Sequence, residues 1–397
     1  MKHSNKFYAV LSLGILLFFS SCASLKETSR FYSNTVEIKS SGASKTPIDK
    51  AVPIRVLILK TTNTFVLTGE KGFVFSEPSI FSAAEYLIKI ENEKLSINDN
   101  IITAECITFS PVSNVFALGK KKYRGSLTVC LENGNILAIN NVELEKYLYG
   151  VLPAEVSPNW DMEALKAQAV AARSFAVRQK LKTKDSHYDL DSTVKSQVYN
   201  GLNIEHSNTN KAVDTTAGLV LSYNGEVVEA FFHANSGGRT ADSAEVWGND
   251  LPYLRSVDDP YCYSGAHYKW TFEIDREAFT TLLKDKGTIS GDLQSISVYD
   301  RTNSGRVKTL MCRDTNGETA IKATSLRNFL GVDKIRSTNF TVEARGDTFH
   351  FEGLGWGHGV GLSQEGAQGY AQRGLSFLSI LKHYYSGVAI QKMIFTQ

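Results

Sequence analysis

The side chain that most invites chemistry is Glu155, within residues 147–177, YLYGVLPAEVSPNWDMEALKAQAVAARSFAV. It stands between Pro153 and an alanine-rich helix, with Leu152, Val156 and Trp160 nearby, so it reads as a carboxylate on a supported turn. Apolar company disfavours the charged form and lifts a carboxyl above its usual value of ~4.3, which suits a general acid working near neutral pH. Glycan cleavage by paired carboxylates needs a second acid across the bond. Asp161, Glu163, Glu229, Glu245 and Glu365 qualify by type only, and the sequence places none of them opposite Glu155.

Two further stretches carry polar groups suited to a ligand. FEGLGWGHGVGLSQEGA has glycine at every second position from Gly353 to Gly361, enclosing Trp356 and His358. Such alternation lets a backbone run close to another surface, and we read it as a groove wall with Trp356 for stacking and His358 for a polar contact. The spacing does not fit a dinucleotide fingerprint, and the Gly-Lys-Ser/Thr of a phosphate loop is missing. FFHANSGGRT places His233, Asn235, Ser236 and Gly237 on a small polar turn whose hydroxyl, amide and backbone donors suit a sugar or peptide. His233, Cys262 and His267 are donors of the right type for zinc, but their spacing matches no zinc signature and no fourth ligand is evident. Ser236 lies in Asn-Ser-Gly-Gly rather than GxSxG, and no cysteine has a local catalytic signature.

The elements that must position these groups form an α+β pattern. From Pro53 to about residue 145, short β-branched and aromatic runs alternate with Gly, Asn and Asp turn signals, predicting a mostly antiparallel β region. A helix then follows. Ser157 is the expected cap, Pro158 the first helical residue, and Met162, Leu165, Ala169, Ala172 and Ala176 the core face. Six alanines between Ala164 and Ala176 let other elements approach closely, and Gln168 and Arg173 are the polar exceptions. Further helices are expected near 205–217, 276–285, 324–330, 363–373 and 376–385, and LVLSYNG and EVVEAFFHAN are expected to pair around Asn224-Gly225.

The formal charge of +2 on 397 residues supplies no electrostatic case for nucleic acid or an anionic surface. Lys2 and Lys6 precede an uncharged run at 7–19, far shorter than the ~20 residues of a spanning helix, so 1–21 reads as a secretory signal. Phe19-Ser20-Ser21-Cys22 resembles a bacterial lipoprotein processing site, with Cys22 taking the lipid and 22–50 forming a flexible tether to an envelope membrane. Cys106 and Cys130 sit in β-like runs and are most simply small buried hydrophobes. The sequence does not choose a pairing among Cys106, Cys130, Cys262 and Cys312.

Three stretches together, YLYGVLPAEVSPNWDMEALKAQAVAARSFAV, FFHANSGG with EVWGNDLPYLRSV, and GWGHGVGLSQEGAQGYAQRG, resemble the SpoIID/LytB family of sporulation stage II D proteins and amidase enhancers. QVYNG at 197–201, SGRV at 304–307 and LRNFLG at 326–331 also fit. The resemblance implies a catalytic core over 146–397, preceded by the β-rich region at 51–145. It implies a lytic transglycosylase of septal or cell-wall peptidoglycan, acting on glycan strands stripped by an N-acetylmuramoyl-L-alanine amidase, with its acid at Glu155. That reaction needs one acid/base, because the muramic 6-hydroxyl attacks C1 internally. Supporting roles fall by the same resemblance on Gln168, Arg173, Gln197, Tyr199, the turn from His233 to Gly238, and Trp356 with His358. Stage II D proteins can carry zinc on a His/Cys set beginning at the position of His233. This chain has Arg239 and no cysteine shortly after it, so that site is absent or rebuilt and no cofactor is expected. The alternative within the same family is a glycan-binding amidase enhancer that does not cut.

Overall fold

The computed structural model describes residues 52–74 and 84–393. The signal expected at 1–21, the lipid site expected at Cys22 and the tether expected at 22–50 lie outside these residues. Helix and strand make up 26% and 38% of the described residues, the α+β class expected.

Two six-stranded sheets, antiparallel except at one edge, are built from residues 53–143 and from Leu190–Asp191, which pairs parallel with Pro53–Thr61. In one, Pro53–Thr61 pairs with Asn135–Glu143, which pairs with Ser126–Glu132 and then Cys106–Pro111. In the other, Phe65–Thr68 lies between Glu85–Glu91 and Val115–Leu118. Alternating side chains such as Ile54, Val56, Leu127, Val129, Tyr86 and Ile88 point into one core. Cys106 and Cys130 are opposite each other on neighbouring strands and form a disulfide. The reading of both as separate hydrophobes is therefore corrected: a ladder that places two cysteines directly across from one another brings their sulfurs within bonding reach. Cys262 and Cys312 are free and buried.

The described helices are α1 (Leu144–Glu155), α2 (Met162–Lys182), α3 (Ser207–Thr215), α4 (Ser243–Trp247), α5 (Arg276–Asp285), α6 (Ala323–Leu330), α7 (Gln364–Ala371) and α8 (Phe377–Tyr384). α1 corrects the expectation of a turn. Leu144, Tyr147, Leu148, Val151 and Leu152 recur at helical spacing and are buried. Their burial offsets the roughly 3 kcal/mol that an interior proline costs, so Pro153 sits inside the helix and Glu155 is its last residue. α2 begins later than expected. Its cap is Asp161, whose carboxylate accepts from Glu163 N–H at 3.0 Å, whereas residues 157–160 form a turn closed by Trp160 N–H on the Ser157 carbonyl.

Every residue of α2 from Ala167 to Val177 is buried. Leu165, Ala169, Ala172 and Ala176 face the core shared with the β region, while Ala164, Ala167, Val170 and Ala171 face a second core with α7 and α8. Two cores pressing on one helix account for its alanines: a larger side chain on either face overpacks by about 1–3 kcal/mol.

The hairpin at Asn224-Gly225 forms as expected, with both residues at positive φ, but its pairing ends at Val227. Phe232–His233 instead runs parallel to Leu362–Ser363, and this brings the His233 turn beside the alternating-glycine loop. A third core, including Trp270, Phe279, Leu326 and Phe351, lies under α5, α6 and the strands Lys269–Asp275, Thr348–Leu354 and Phe340–Arg345.

Candidate active site

Glu155, ending α1, borders a cleft of about 450 Å³ that is also lined by Pro153, Val156 and Trp160 and by Ala234, His267, Gln364 and Glu365. The last turn of α1, the His233 turn, the 265–268 loop and the start of α7 thus converge on one opening. The Val198 N–H donates to Glu155 Oε1 at 2.9 Å. Burial raises the Glu155 carboxyl above its ordinary value, partly opposed by the Val198 N–H and by the neighbouring Gln364 amide. Gln364 Nε2 is buried and lacks a hydrogen bond of normal length.

This has a consequence for stability. A carboxyl whose folded pKa is raised favours the fold while protonated, and that contribution is lost as pH rises through the folded value. Glu155→Gln is therefore expected to raise stability by about 1 kcal/mol at pH 8 and to change it little at pH 4, as read from thermal unfolding of both proteins at the two pH values.

Gln197 and Tyr199, assigned to the substrate by resemblance, lie inside. Gln197 Oε1 accepts from the Tyr147 hydroxyl at 3.1 Å and its Nε2 donates to the Ala172 carbonyl at 3.2 Å. Tyr199 donates to Asn140 Oδ1 at 2.9 Å. Both side chains are buried, and they clamp the backbone between them so that Val198 N–H meets Glu155. The correction has a physical cause: α1, α2 and the β region close over residues 197–199 and leave only the Val198 amide to the acid.

Arg173 is also interior. Its guanidinium makes a forked pair with Glu145, at 2.9 and 2.7 Å, and donates to the carbonyls of Val213 and Leu219, both at 3.2 Å. Gln168 is buried on α2, with neither amide atom hydrogen-bonded.

The His233 turn and the glycine loop are zipped together. Asn235 and Trp356 exchange backbone hydrogen bonds at 3.1 and 2.9 Å, and Asn235 Oδ1 accepts from Gly237 N–H at 2.8 Å. Ser236 Oγ donates to Asp259 at 2.7 Å. The glycines serve the close approach that alternation implied. A Cβ on Gly361, at φ +72°, would lie 2.1 Å from the Phe231 carbonyl oxygen. Gly361→Ala is expected to cost about 2–3 kcal/mol, because a backbone atom cannot yield as a side-chain tip can, and thermal denaturation measures it.

His233 is buried, with Nδ1 on the Val360 carbonyl at 3.1 Å and Nε2 without a partner. Burial, then the neighbouring His358 and Arg306, hold it well below its usual value. His358 packs among Phe231, Trp247 and His233, and burial pushes it down to about 4. The ring stays partly exposed there and does not line the cleft that Glu155 borders. Trp356 is half-buried, flanked by the Arg336 guanidinium at 4.4 Å and the His267 ring at 4.7 Å.

The zinc donors do not converge. His233 turns to Val360, Cys262 Sγ accepts from Gly238 N–H at 3.1 Å, and His267 pairs with Glu365. Among the described residues, the one set of three ligand-type groups within a shared coordination distance is Cys106, Cys130 and His187, and its two sulfurs are bonded to each other. Sequence reasoning missed the Val198 amide and Gln364, and it left Glu365 as one acid among several. SQEGA carries no spacing signal that links it to residue 155.

Residues 132–223 match the family model described as Stage II sporulation protein, and residues 258–361 match a domain of unknown function. The chain is 36% identical to an uncharacterised protein of Brachyspira hyodysenteriae, over 79% of this chain and 85% of that protein. It is 33% identical to Stage II sporulation protein D of Bacillus subtilis, over 64% of this chain and 76% of the relative. It is also 29% identical to the Bacillus subtilis amidase enhancer, over 77% of this chain and half of that longer protein.

Proposed function

The chain belongs to the SpoIID/LytB family, and from that premise we propose that it is a peptidoglycan lytic transglycosylase with Glu155 as its sole acid/base. The observation that carries this reading is a single carboxyl, raised by burial, at the edge of an open cleft. Glu365 shares the cleft but has its oxygens taken by Asn235 and His267, so it is not a free partner for two-carboxylate hydrolysis.

In the proposed reaction, protonated Glu155 gives its proton to the glycosidic oxygen as the bond to the muramic C1 breaks. The resulting carboxylate then takes the proton of the muramic 6-hydroxyl as that oxygen bonds to C1, which restores the acid and leaves a 1,6-anhydro end. Val198 N–H holds the carboxylate in one orientation through both steps. The substrate in this reading is glycan freed of stem peptides, and Cys22 carries a lipid that keeps the enzyme at an envelope membrane. Digestion of peptide-free glycan, with products read by mass spectrometry, tests the chemistry. Release from the membrane fraction on Cys22→Ala tests the anchor.

A second reading is supported by the similarity to the amidase enhancer. The same cleft would then grip glycan, or the chain would engage an N-acetylmuramoyl-L-alanine amidase, without cutting. It predicts that Glu155→Gln stimulates an amidase as well as the parent does.

A further inference from the structure

Glu365, on the wall of the cleft, is almost fully buried, and its carboxylate is spent on holding its neighbours. Oε2 accepts from Asn235 Nδ2 at 2.7 Å and from the His267 backbone N–H at 3.2 Å, while Oε1 is 2.7 Å from His267 Nδ1. The loop before His267 is pressed onto it: a Cβ on Gly265 would lie 2.0 Å from Glu365 Oε2. On its other side the imidazole meets the Trp356 ring at 4.7 Å in an edge contact. The ring is thus fixed by a carboxylate and an aromatic, yet the side chain is 40% exposed and lines the cleft.

A carboxylate only accepts, so the 2.7 Å contact puts the neutral ring's proton on Nδ1 and leaves Nε2 as an acceptor without a partner among the described residues. Holding one ring nitrogen so that the other is presented in a defined state is how an imidazole is made ready for a ligand. We propose that His267 is a contact to the glycan in the cleft that Glu155 borders, its Nε2 accepting from a sugar hydroxyl or acetamido N–H, with Glu365 as the positioning residue that sets its tautomer. His267 lies in the segment that matches the domain of unknown function, which gives that segment a part in the site. The inference rests on the glycan-cleft reading.

The test uses the full chain with Glu155→Gln, so that ligand is bound without turnover, and peptide-free glycan oligomers titrated by calorimetry. Adding His267→Ala is expected to weaken binding about tenfold, and His267→Gln, whose amide oxygen can accept at similar reach, to recover most of that loss. Nitrogen-15 NMR of labelled histidine at pH 8 is expected to find His267 protonated on Nδ1, a signature that Glu365→Ala removes. Equal affinity for the parent and the alanine variant, or a parent ring protonated on Nε2, overturns the inference and leaves the proposed function standing. No binding of glycan by the parent sinks the cleft reading itself, and the inference with it.

Discussion

Glu155→Gln is expected to lower the rate of anhydromuramic product formation by about 10³-fold or more while the protein stays folded. Glutamine is nearly isosteric and its amide oxygen can still accept from Val198 N–H, so the clamp that orients the side chain survives. What disappears is a transferable proton. Because burial raises the Glu155 carboxyl, wild-type turnover should also decline as pH rises through its folded value, since the proton needed for the glycosidic oxygen is then lost before substrate arrives. The decisive comparison is a time course of both proteins on the same peptide-free strands across a pH series. A variant that still forms anhydro ends at a tenth of the wild-type rate would remove Glu155 from the chemistry. A wild type that forms none, but stimulates an amidase, would favour the enhancer reading.

Arg173→Ala is expected to destabilise the fold by about 3 kcal/mol or more, because it empties the place of a fully buried side chain and strands the carbonyls and the half-buried Glu145 that the guanidinium holds. Glu145, at the start of α1, would keep only Gly218 N–H on the oxygens that Arg173 now grips, and the carbonyls of Val213 and Leu219 would lose a donor. The resemblance-based role as a substrate contact makes the opposite forecast: an unchanged melting temperature and a higher KM. Thermal unfolding alongside steady-state kinetics on the folded fraction separates the two. The geometry favours lost stability with near-normal turnover per folded molecule, since the guanidinium is fully buried and joins α1, α2 and the end of α3.

The site was legible in unequal parts. Glu155 stood out because short-range sequence already surrounds it with Pro153, Val156 and Trp160, and the structure lines the cleft with those same residues. The glycine alternation announced close backbone contact, which Gly361 against Phe231 now explains. The helical start was misjudged because Ser157 and Pro158 are good starting residues locally, yet Asp161 captures the cap. Gln197, Tyr199 and Arg173 were polar residues near matched motifs, and nothing in local spacing distinguishes a polar side chain that faces a ligand from one that braces two helices.

By itself the sequence determined the α+β pattern, the alanine helix, the lone acid in apolar company and the motifs that place the chain in its family. These depend on propensities and periodicities that act within a few residues along the chain. Only the tertiary structure decided what touches the acid and what faces it. Val198 reaches Glu155 across 43 residues of sequence, Glu365 reaches His267 across 98 and Asn235 across 130. Burial, hydrogen-bond partnership and the tautomer of an imidazole are properties of neighbours in space, and these neighbours are set by the packing of α1, α7 and the His233 turn around one cleft.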